Sequence, residues 1–66
     1  MRIIERHRFG THDVVVVENL EDEGTTYSVL VDGHPAEDEP LSMPPSFERI
    51  VRLYDRSQAR AMRVGS

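Results

Sequence analysis

Val14, Val15, Val16 and Val17 stand side by side, and four β-branched residues in a row leave the backbone little alternative to an extended one. Side chains alternate across a strand, so this one is apolar on both faces and must lie inside a sheet or be covered on each side. The spacing predicts a strand over residues 13–18, and it constrains everything around it. A strand over residues 2–9 fits before it, with Ile3, Glu5, His7 and Phe9 on one face, Ile4, Arg6 and Arg8 on the other, and Gly10-Thr11 as the turn. Residues 19–25, built on Glu21-Asp22-Glu23-Gly24, read as a hairpin loop. Residues 26–31 form a third strand with Tyr27, Val29 and Val31 sharing a face, and Asp32-Gly33 ends it with turn chemistry.

The next stretch, residues 34–45, holds Pro35, Pro40, Pro44, Pro45 and the acidic run Glu37-Asp38-Glu39, so it is expected to cross the surface without regular structure. Ser46 then offers a hydroxyl to the first free amides of a helix, Glu48 sits in its positive first turn, and Gly65 can stop it. The expected architecture is α+β: a three-stranded antiparallel β-meander followed by one C-terminal α-helix packed on one face (βββα), a single domain over residues 1–66. One helix covers one face only, while the valines and Leu30 put aliphatic side chains on both. The uncovered face, with Val15, Val17 and Leu30, is therefore an expected interface for a second copy or another protein.

Charge divides the chain. Arg49, Arg52, Arg56, Arg60 and Arg63 recur at spacings of 3, 4, 4 and 3. At about 100° per residue they fall within roughly 80° of one helical face, opposite Phe47, Ile50, Val51, Tyr54, Ala61 and Met62. Residues 1–45 carry ten carboxylates against three arginines, and residues 46–66 two against five. The stripe can be a solvated face, a dock for acidic surface including this chain's own acidic loops in trans, or a phosphate contact. A net charge of −4 argues against free-standing nucleic-acid binding, because affinity for phosphate comes from basic neutralisation.

The acidic set, Glu5, Asp13, Glu18, Glu21, Asp22, Glu23, Asp32, Glu37, Asp38 and Glu39, keeps a small apolar-faced domain in solution on its plainest reading. Carboxylates two residues apart on an extended chain are also about 6.5–7 Å apart, close to the phosphate spacing of a nucleic-acid strand. Glu21, Asp22, Glu23, Glu37, Asp38 and Glu39 are on that reading the residues that would occupy a basic cleft. Such a surface docks fast and loses affinity as salt rises.

Chemistry beyond binding has little support. Ser28, Ser42, Ser46 and Ser57 lack a nucleophile setting, the four glycines are too dispersed for a phosphate loop, and no carboxylate pair has an acid/base frame. His7, His12 and His34 have no metal-ligand spacing, neither acidic run has the calcium-loop pattern, and cysteine is absent. The expectation is a non-enzyme without cofactor or metal. Without a long apolar run or a leader-like start, it is expected to be cytoplasmic and away from membranes.

In size, acidity, lack of cysteine and single α+β domain, the chain resembles small phage-encoded inhibitors such as anti-CRISPR proteins, several of which mimic nucleic acid. That resemblance implies a basic, nucleic-acid-binding protein as partner. The βββα order also resembles the three-stranded DNA-binding domains of some integrases and plant transcription factors. Their sheets are basic and aromatic, whereas the corresponding positions here carry valine, aspartate and glutamate. Expected function is thus a protein-binding inhibitor, with a homodimeric structural or regulatory subunit as the alternative and nucleic-acid binding through the arginines third.

Overall fold

The valine quartet lies in an interior strand, as its two apolar faces require. Strands β1 (Arg2–Phe9), β2 (His12–Glu21) and β3 (Gly24–Val31) form an antiparallel meander, β4 (His34–Pro35) extends it beyond β3, and helix α1 (Phe47–Val64) crosses one face. The computed structural model describes residues 1–64, with side chains through Ala61; the side chains of Met62 and Arg63, and Gly65 as the expected helix stop, lie outside the described residues.

Val14 and Val16 point at the helix and are fully buried with Val29 and Ile50; Val31, Ala36 and Leu53 are buried beside them, and Ile4, Phe9, Leu41 and Tyr54 pack around the cluster. Each valine, leucine or isoleucine among them contributes about 1.5–3 kcal/mol by leaving water. Aromatic edges extend the contact along β1: Phe9 lies 4.9 Å from Tyr54 between ring centroids, and His7 lies 5.4 Å from Phe47. Ser46 caps the helix as expected, its Oγ accepting from the Arg49 N–H at 3.2 Å.

The sheet departs from the sequence-based expectation in three places. First, there are four strands, because Asp32 and Gly33 both have positive φ, 51° and 86°, and close a tight hairpin that pairs Val31 with His34 and Leu30 with Pro35. Proline fits there because an edge strand has no further neighbour to serve with an N–H. Second, the β2–β3 hairpin is longer than expected. Pairing continues through Glu18–Tyr27, Asn19–Thr26 and Leu20–Thr25 to Glu21–Gly24, leaving Asp22 and Glu23 alone at the turn. Third, a bulge between Ile3 and Glu5 shifts the register of β1, so that Ile4 packs on the core and Ile3 pairs with Val17 on the opposite face.

Residues after β4 also close the edge of β3. Leu41 exchanges two backbone hydrogen bonds with Tyr27, at 2.7 and 2.8 Å, and the Ala36 N–H donates to the Val29 carbonyl at 2.8 Å. Among the described residues, no helix is long and apolar enough to cross a membrane.

Candidate functional site

The two acidic runs have different fates. Glu21, Asp22 and Glu23 sit at the tip of the β2–β3 hairpin, all exposed, and pair with no cation among the described residues. Leu20 precedes them at 77 % exposure, so the tip combines three carboxylates with one free aliphatic side chain. Polar ties behind it hold the hairpin: the Asn19 amide reaches the Ser28 hydroxyl at 3.5 Å, and Glu18 meets Arg2 at 3.0 Å and the Tyr27 hydroxyl at 3.5 Å.

Glu37, Asp38 and Glu39 are placed elsewhere and serve other contacts. Glu37 is half-buried and its Oε2 accepts from the Val29 N–H at 3.2 Å, supplying a β3 edge donor with the acceptor a further strand would give. Asp38 lies 3.5 Å from Arg60. All three face the helix across an open groove of about 740 Å³, with Arg49, Arg52 and Arg56 on the opposite wall. The structure does not join the two acidic runs into one surface.

The groove revises the expected place of the arginine stripe. Leu53 is 6 % exposed and packs in the core, yet it lies only about 40° around the helix from Arg49. The stripe therefore flanks the helix–sheet contact and overhangs residues 37–42; it does not stand opposite the core. Leu53 is absent from the apolar face expected of the helix, and its position is the one in the sequence that carries this signal.

On the sheet face away from the helix, Val17 is 2 % exposed, flanked by its cross-strand neighbours Ile3 and Ser28, and is unavailable to a partner. Val15 and Leu30 are half-buried there, and Ile3 is 49 % exposed. The apolar patch expected on this face is thus smaller than two-sided apolarity implied.

The three histidines do not share a site. His7 stacks with Phe9 and meets Phe47 edge-on, its Nε2 buried and 3.5 Å from Glu5, while His12, two pairs along at the turn end of the same β1–β2 ladder, lies against Tyr54 and Asp32. His12 Nδ1 donates to Asp32 Oδ2 at 2.6 Å while the Asp13 N–H donates to Asp32 Oδ1 at 3.0 Å. The His12 bond, then the Asp13 amide, hold the Asp32 carboxyl below the usual carboxylate range. His12, Asp32 and His34 border a second hollow beside Ser57 and Arg60. Among the described residues, no group of three His, Asp or Glu side chains is arranged to hold a metal ion.

Compared with family models, curated proteins and solved structures, the chain matches none.

Proposed function

We propose that this chain is a non-catalytic protein-binding module of the inhibitor kind, whose acidic hairpin tip enters a basic cleft that otherwise takes nucleic acid. The observation that carries this reading is the state of Glu21, Asp22 and Glu23: exposed and unpaired among the described residues, with Asp22 and Glu23 forming the two-residue turn and Glu21 the last paired residue of β2 before it. Carboxylates so displayed keep their full attraction for a partner's arginines and lysines, whereas Glu37 and Asp38 already spend part of theirs within the fold. Leu20 adds exposed apolar area beside the charges, which a partner can bury. Of the two acidic runs, only Glu21-Asp22-Glu23 has all three carboxylates free of contacts among the described residues, so it is the run that enters the cleft.

The test is capture from the native cell by the immobilised chain, run in parallel with a Glu21→Gln/Asp22→Asn/Glu23→Gln variant. A basic nucleic-acid-binding protein held by the wild type, lost from the variant and released by moderate salt is the expected outcome. Equal retention by both chains at moderate salt overturns the proposal.

A further inference from the structure

We infer that the charged groove is a self-complementary interface through which two copies of this chain associate. Arg49, Arg52 and Arg56 form one wall and Glu37, Asp38 and Glu39 the other, so the named charges of the groove cancel. None of those three arginines pairs with a carboxylate among the described residues, and the one ion pair bridging helix and loop, Arg60 to Asp38, lies beside them. The walls face each other without closing, which leaves both half-solvated within a single copy.

A two-fold rotation resolves that arrangement. In an isologous contact residue i of one copy meets residue j of the other and the reverse, so each arginine row would meet the partner's acidic loop twice over. The net charge of −4 opposes association at long range, but at physiological salt that repulsion is screened beyond about 8 Å, while opposed pairs at the contact are not. Leu41 lines the groove and Met43, two residues on, is 72 % exposed, giving the contact apolar area as well. A chain of this length buries a small core and gains from a partner. The interface leaves Glu21, Asp22 and Glu23 free, so it stands independently of the proposed function and would present two acidic tips per dimer.

Charge exchange tests it with the full chain. One variant carries Arg49→Glu, Arg52→Glu and Arg56→Glu; a second carries Asp38→Arg and Glu39→Arg, with Glu37 spared because it bonds Val29. Sedimentation equilibrium should show the wild type at twice its 7.6 kDa chain mass at physiological salt, shifting to monomer as salt is raised further, a measurement that needs no variant. Each variant alone should be monomeric with an unchanged circular dichroism spectrum. Their equimolar mixture should dimerise, because one reciprocal contact keeps its wild-type charges and the other is restored with signs exchanged. Four results overturn the inference: a wild type monomeric at physiological salt, variants that remain dimeric, folded variants whose mixture stays monomeric, or a dimer that only Ile3→Glu on the other sheet face disrupts. A monomeric wild type whose binding to DNA is lost in the arginine variant would assign the groove to nucleic acid instead.

Discussion

Glu37 stands in for a missing strand: its carboxylate accepts the Val29 N–H at 3.2 Å where β4 has ended and Leu41 has not yet paired. A residue that reads as part of a free acidic surface is thereby an acceptor for the sheet. Glu37→Ala should cost about 1 kcal/mol by leaving that donor to water. Amide exchange at Val29 should accelerate, while Glu37→Gln, which keeps an acceptor oxygen, should protect it nearly as well as the wild type.

Asp32 links stability to pH. Its carboxyl is held below the ordinary value by His12 and the Asp13 amide, so it binds its proton less readily folded than unfolded. The stabilisation it contributes is present above the unfolded-state value, about pH 4, and is lost as pH falls through the lower folded-state value. Asp32→Asn, which tolerates the positive φ there, should lower the denaturation midpoint at neutral pH. The gap between the two chains should close as the solution is acidified below about pH 4.

Ile50 and Leu20 make a contrast. Ile50 is fully buried, and Ile50→Ala should cost about 2–5 kcal/mol, comparable to the whole margin of about 3–5 kcal/mol for so small a domain. Largely unfolded chain at room temperature, seen by circular dichroism, is the expected result. Leu20→Ser should stay within about 0.5 kcal/mol of the wild type and yet weaken partner capture.

Ser46→Ala should remove the acceptor of the Arg49 N–H and destabilise by about 1 kcal/mol, whereas Ser46→Asp should retain the cap. Urea midpoints of the two variants separate the outcomes.

Local signals were legible and tertiary ones were not. The valine run, the Ser46 cap and the β1 boundaries follow from backbone preference and could be read directly. The fourth strand was also present in the chain, since Asp-Gly is a strong hairpin signal, but Pro35 and the acidic run beside it argued for irregular structure. The bulge that exchanges Ile3 for Ile4 has no local marker. Nor does any pattern reveal that Glu37 will reach Val29, because that bond exists only once β4 has brought residue 37 back along β3. The acidic runs look alike in the sequence, and only the fold distinguishes the exposed tip from the groove wall.

Competition measures the central claim most directly: the isolated partner, bound to this chain, is titrated with its own nucleic acid while the bound fraction is followed. The account predicts mutual displacement, with the Glu21→Gln/Asp22→Asn/Glu23→Gln variant losing at least tenfold in affinity. A ternary complex in which chain and nucleic acid bind the partner together, each with unchanged affinity, would contradict it.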